Sequence, residues 1–497
     1  MPGMSKKRSA ERNAERNKPM RVFITLFFSI GCLIGLVFLY YSSFPVGFSL
    51  VVSLVLLVVS GQAIMKANGL EGAYGVYMLK SKRGLGFIDW LARNGGSFWE
   101  GMADWGAVLS FGLMSYIIFD RRIGKKTLIL GLAAIAVMVL VILPNMWLIL
   151  SFLNIPGVNL PKFSGPGFLQ LEFSYAILAL LVISIFGGVL LFMIALLGFS
   201  AFDILYTILS AVSKAVVTGN TSGYANLSSQ VPGIAPIIPG LTLPLFSGIL
   251  ALAVVLVVHE FSHGILARVS KIKLKSMGIL PFGIIPVGAF VEPDEKQVEK
   301  LEKRKQNGIF VAGVSSNFIM TFLFFALTAL MIIYVIPVFF KQGVVIAGTV
   351  QGYPAYGVIK TGSVINSWNG YPVNSIESVD YAARNFTPYA IVRVSTNRGN
   401  YTFNTNATGK IGVLVQQSEI PKSGGALPGV VDFLYSFFVI TFVLNFFVGG
   451  MNLLPLPAFD GWRVYKNRIK SKKRLHILGW LMIIAIIVLM LPWIWIL

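Results

Sequence analysis

Apolar residues in this chain come mostly in long unbroken runs, several of them near the ~20 residues that a helix needs to cross a bilayer. Nine such stretches run roughly Val22 to Tyr41, Val46 to Met65, Ala103 to Phe119, Thr127 to Leu150, Phe173 to Leu197, Leu243 to Ala267, Ile309 to Phe339, Val430 to Met451 and Leu475 to Ile496. Each predicts a membrane helix, and the third is the shortest. Between the second and third, Lys66 to Gly101 carries Lys80, Lys82, Arg83 and two tryptophans, which suggests an interfacial amphipathic segment; an ordinary cytoplasmic loop fits it equally.

Two stretches break the pattern. Gly278 to Val291 is apolar but punctuated by Gly and Pro, so it cannot span as a helix and suits a β-hairpin dipping into the inner leaflet; Glu292 to Gln306 then reads as a solvated helix. From Gly343 to Val415 apolar and polar residues alternate, with turns at Asn369-Gly370 and Arg398-Gly399, which predicts a small β-rich domain. The fold class is therefore a polytopic α-helical membrane protein with an inserted β-rich domain. Its plan is a basic cytoplasmic segment (1–21), an N-terminal membrane region (22–212), an outer loop (213–242), a membrane core in two parts (243–339 and 430–497) and the inserted domain between them (340–429).

Composition agrees: the 497 residues are 56% hydrophobic and only 12% charged, where a soluble domain carries about 25% charge. The net charge of +21 does not point to nucleic acid, because the basic residues cluster at the ends of apolar runs. Cys32, the only cysteine, leaves no disulfide framework. The run after the basic N-terminal segment is too long for a signal-peptide core and reads as a retained helix. The positive-inside rule places the N-terminal segment and Trp462 to Arg474 in the cytoplasm, and the inserted domain outside. The Asn-x-Ser/Thr sequons at Asn220, Asn226, Asn385, Asn400 and Asn406 all fall in segments that this orientation puts outside. Asp120 to Lys126 disagrees: it is basic, yet nine simple crossings put it outside.

The chemistry lies in the sixth run, where His259-Glu260-Phe261-Ser262-His263 interrupts a lipid-buried helix. Ionisable groups at such depth are costly unless paired or bound to metal. Positions i and i+4 share a helix face, so His259 and His263 can hold one zinc while Glu260 takes a proton from a water beside it. A chance motif is the bland alternative, weakened because the chain has three histidines and the motif uses two. The eighth run ends in Asn452-Leu453-Leu454-Pro455-Leu456-Pro457-Ala458-Phe459-Asp460-Gly461, whose prolines forbid regular helix. A catalytic zinc needs a third protein ligand, and Asp460 can supply it; a surface turn at Asp460-Gly461 is the alternative. In the seventh run Gly313 to Asn317 is unusually polar, and Asn317 either bonds a neighbouring helix or lines the metal cavity.

With HExxH at 259–263, GxxxN at 313–317 and NxxPxPxxDG at 452–461, the chain from Pro239 to Leu497 resembles the site-2 proteases, intramembrane zinc metalloproteases. It looks most similar to archaeal members, given GAFVEPDE at 288–295. Phe459 stands where the family often has Leu. The inserted segment VIAGTVQGYPAYGVIKTGSVINSWNGYPV resembles a PDZ domain, with Ser363 where Asp is usual and no evident carboxylate-binding loop. The resemblance implies zinc on His259, His263 and Asp460, Glu260 as base, and Asn452 holding the substrate backbone or oxyanion. It also implies single-pass transmembrane substrates shortened beforehand by another protease, with the outer domain as a size filter, in the cell membrane.

A substrate helix hides its amides in its own hydrogen-bond ladder, so it must unwind locally. An edge of the hairpin at Gly288, Ala289 and Phe290 could pair with the freed strand; failing that, the Asn452 to Pro457 segment, with Pro455 and Pro457, would hold it. A catalytically dead scaffold and a metal transporter are the competing classes. A transporter would carry ionisable residues along several helices, and the other runs have almost none.

Overall fold

The computed structural model describes residues 18–42, 44, 46–120, 123–151, 175–218, 234, 237–239, 242–384 and 387–492. The basic segment before Lys18 and the sequons at Asn220, Asn226 and Asn385 lie outside the described residues.

Nine helices among the described residues are long and apolar enough to cross a membrane. The HExxH helix, Leu245–Val269, the GxxxN helix, Lys303–Leu330, and the helix Leu427–Asn452 pack against one another and form the centre. Large side chains such as Phe318, Phe442 and Phe446 are fully buried between them. Small polar residues tighten the seams, as where Ser316 Oγ donates to the Val258 carbonyl across two helices at 3.2 Å.

The third apolar stretch is not one continuous α-helix. Its helix, Gly96–Phe111, continues through Gly112–Met114 into Ser115–Ile118. At one end Trp99 packs against the apolar cluster that includes Ile265 and Leu266, near the end of the HExxH helix. At the other, the Ile118 carbonyl accepts from Asn307 at 3.2 Å, and Asp120 pairs with Arg468 at 2.8 Å. The second of these ends is therefore tied to the helix that carries Trp462 and Arg468. The fifth stretch is longer than expected, Tyr175–Thr218, and its 44 residues would extend about 66 Å as one helix against a ~30 Å core. It breaks at Gly188, whose φ of 64° and ψ of −159° are open only to glycine and which lies against the backbone of Ser110 and Phe111.

The expected hairpin is present as β4 (Leu274–Phe282) and β5 (Ile285–Pro293), with Gly278 opposite Phe290 and Ile279 opposite Ala289. The segment after the second helix does not form one amphipathic element. Part of it becomes three short strands, β1 (Gly72–Ala73), β2 (Val76–Tyr77) and β3 (Leu79–Ser81), and β2 and β3 both pair with β4. Unpaired main-chain groups at membrane depth are costly, and this strand addition satisfies one edge of the hairpin. The outer edge of β5 has no strand partner among the described residues. Only after β3 does the chain form a surface helix, Leu85–Asn94.

The inserted domain is a six-stranded antiparallel sheet from β6 (Phe340–Thr349) to β11 (Val413–Pro421), with a helix at Ile376–Ala383 capped by Ser375. It has its own core, including Val344, Ile346, Ile365, Trp368 and Val394. Its first and last strands pair along their length, so the chain enters and leaves it at one point.

Candidate metal centre

His259 and His263 face inward from the sixth helix, and Asp460 comes from a separate element 197 residues beyond His263. Their Nε2, Nε2 and Oδ2 atoms converge: each imidazole nitrogen lies 3.1 Å from the carboxylate oxygen and 3.2 Å from the other. Ligand atoms held about 2.1 Å from one tetrahedral ion stand about 3.4 Å apart, so this donor set fits a small cation such as zinc. His263 Nδ1 lies 2.7 Å from the Ile309 carbonyl, a bond that puts its proton on Nδ1 and the lone pair on Nε2. Among the described residues this is the one group of three His, Cys, Asp or Glu side chains whose ligand atoms could share an ion.

Local sequence explains how Asp460 arrives. After Asn452 the helix stops, and Leu453 to Phe459 turn back in tight steps, with Leu456 N–H on the Leu454 carbonyl and Phe459 N–H on the Leu456 carbonyl. Pro455 is buried in this turn and Pro457 is exposed. Asp460 then opens the helix Asp460–Arg468. Gly461 is needed because a Cβ there would lie 2.2 Å from the Leu453 carbonyl oxygen. The same carbonyl accepts from Tyr465 Oη at 2.7 Å, which ties the helix to the turn.

Glu260 sits beside the triad and is bound to the hairpin, its Oε2 accepting from the Val291 N–H of β5 at 3.2 Å. Since antiparallel pairs alternate, an outward N–H at Val291 puts the Ala289 N–H on the same free edge and turns the Phe290 N–H toward β4. Ala289 thus shares the free edge that reaches Glu260, whereas Gly288, two residues from Phe290, turns its N–H toward β4.

Asn317 is fully buried in the seam against Gly449, and neither of its side-chain polar atoms has a protein partner among the described residues. Asn452 donates from Nδ2 to the Val448 carbonyl at 3.0 Å, within its own helix.

The residue that the linear reading missed is Gly313. A Cβ there would stand 2.5 Å from His263 Nε2 and 2.6 Å from His259 Nε2, so the GxxxN helix presses its backbone against the donor atoms. Its signal in the sequence was the glycine of GxxxN, readable as simple helix packing.

An apolar helical core thus gathers the two HExxH histidines with a distant carboxylate into one possible metal site. Residues 247–491 match the model of peptidase family M50, and this half of the chain belongs to that family, the site-2 protease family. Over 241 residues the chain is 30% identical to an uncharacterized protein of Methanocaldococcus jannaschii, a match covering 47% of this chain and 61% of that relative.

Proposed function

We propose that this protein is a zinc-dependent intramembrane endopeptidase that cuts single-pass membrane proteins within or near their transmembrane segments. The observation that carries the reading is the convergence of His259, His263 and Asp460 beside Glu260, within the M50 half of an apolar helical bundle. Zinc held by His259, His263 and Asp460 would supply Lewis acidity and would lower the pKa of a water. Glu260 takes the proton from the attacking water and returns it to the leaving amine. Its Oε2 is engaged by Val291, which leaves Oε1 for the transfer. The substrate, shortened beforehand by another protease, unwinds and pairs with the free edge of β5 at Gly288 to Phe290, which aligns one peptide bond with the metal. Asn452 steadies the substrate backbone.

The orientation follows the basic face. Asp120, which pairs with Arg468, is placed with Trp462 to Arg474 in the cytoplasm, in accord with the positive-inside rule. The β-rich domain is then extracytoplasmic, where it screens substrates by size.

Purified protein in detergent should cleave a single-pass model substrate, and a zinc chelator should stop it. An uncut substrate at normal zinc content would leave an inactive scaffold as the better reading. The protein should hold about one zinc per chain, and His259→Ala/His263→Ala should lose it, because two of three protein ligands are gone. Full zinc in that double variant, measured by mass spectrometry of the metal, would sink the site.

Edge pairing makes a sharper prediction about backbone donors. Ala289→Pro removes an outward N–H and should cut cleavage strongly at normal zinc content, whereas Ala289→Ser should be mild. Phe290→Pro acts differently, because its N–H belongs to the ladder with β4, so it should also loosen the hairpin. If Ala289→Pro cleaves as fast as wild type, the substrate is held by Asn452 to Pro457 instead.

A further inference from the structure

The surface helix Leu85–Asn94 has a face that the metal centre does not use. At 100° per residue Ile88, Leu91 and Ala92 lie on one side and Phe87, Trp90 and Asn94 on the other. Ile88 is fully buried, packed with Ile265 and Val291. The outward side is aromatic: Phe87 and Trp90 are each 53% exposed and stack with ring centroids 5.9 Å apart, and Phe98 in the following helix is 64% exposed. Lys82, Arg83 and Arg93 are exposed around them.

Position decides what covers this face. Asp89 accepts from Arg268 at 3.1 Å, and Arg268 is one residue from the end of the 25-residue HExxH helix. That helix is about 37 Å long against a ~30 Å hydrocarbon core, so its last turn emerges at the headgroup level, and the helix bound to it lies there too. Exposed aromatics ringed by basic residues at that depth match the boundary between acyl chains and headgroups. The charge selects among headgroups, since cationic side chains near the surface enrich anionic lipid.

We propose that this face is a binding site for anionic phospholipid, with Phe87, Trp90 and Phe98 bedded among the upper acyl carbons and Lys82, Arg83 and Arg93 holding the phosphate. The site is joined to the catalytic helix on its other side. Asp89 fixes Arg268, and the Phe87 ring stands 6.3 Å from that of Phe261, the residue after Glu260. Bound lipid therefore steadies the end of the helix that carries the metal ligands.

The test reads binding rather than proteolysis, so it stands apart from the peptidase assignment. The full chain is placed in nanodiscs of phosphatidylcholine with or without phosphatidylglycerol, with bromine on the upper acyl carbons of one lipid or the other. The fluorescence difference between wild type and Trp90→Phe isolates Trp90 from the other eight of the nine tryptophans. The expected result is quenching of the Trp90 component by both brominated lipids, several-fold more per mole by phosphatidylglycerol, with the excess lost in Lys82→Gln/Arg83→Gln/Arg93→Gln. Equal quenching by the two lipids overturns the headgroup selection. Quenching by aqueous acrylamide without quenching by bromine overturns the whole proposal and gives the face to a soluble protein partner.

Discussion

Glu260→Gln should lower peptide cleavage by about 100- to 10,000-fold while zinc stays bound. The substitution keeps the size and the acceptor oxygen that meets the Val291 N–H, so β5 should remain docked on the HExxH helix. What it removes is the base. Its counterpart test is metal content: zinc lost together with activity would make Glu260 a ligand, and activity retained would move proton transfer to another group. Single-turnover cleavage alongside metal analysis separates the three outcomes.

Gly313→Ala should be nearly as damaging, for a reason that has nothing to do with stability. In a helix interior Ala is favoured over Gly by about 1 kcal/mol, so helix propensity argues for an unchanged or slightly stabler fold. The added methyl, however, would lie 2.5 Å from His263 Nε2, inside any normal contact distance. Either the GxxxN helix moves away or the imidazoles turn, and a misplacement of about 1 Å at a reacting centre costs on the order of 100-fold in rate. Zinc occupancy should fall as well, because the displaced atoms are the proposed ligands. A variant that melts like wild type but neither binds zinc nor cleaves would match this account. Activity within a few-fold of wild type would mean that the seam between the helices yields easily, and that Gly313 serves packing alone.

The two predictions differ in how they could be found. Glu260 is named by a five-residue motif in which the bearing of each side chain follows from helical geometry. Gly313 carries no functional group, and its meaning depends on which face of a second helix meets His259 and His263. The same contrast separates the hairpin from its edge. Gly and Pro in Gly278 to Val291 excluded a helix and left a hairpin, but that β2 and β3, about 200 residues earlier, would cover one edge was not readable from Leu79-Lys80-Ser81. Short strands have little intrinsic preference, and partner choice is settled by which unpaired edge lies within reach.

Topology shows the limit in another form. Run length and the placement of basic residues established a polytopic membrane protein, because the bilayer imposes both rules on any chain. They could not show where the end of Gly96–Ile118 docks on the core. An apolar helix of that length gives no sign of its partners, and the Asp120–Arg468 ion pair and the Asn307 bond to the Ile118 carbonyl exist only in the packed core.

By itself, then, the sequence determined what depends on near neighbours and on the solvent: helix lengths, the i and i+4 histidine pair, the prolines that end the helix after Asn452, and the β-alternation of the inserted domain. The tertiary structure alone decided what depends on distant segments meeting: Asp460 within 3.1 Å of both imidazoles, Gly313 pressed against them, Val291 bound to Glu260, and β5 left as the free edge. The physical reason is that local geometry is set by bonds and by lipid or water around each residue, whereas these contacts exist only once the helices have packed and the chain between them has closed.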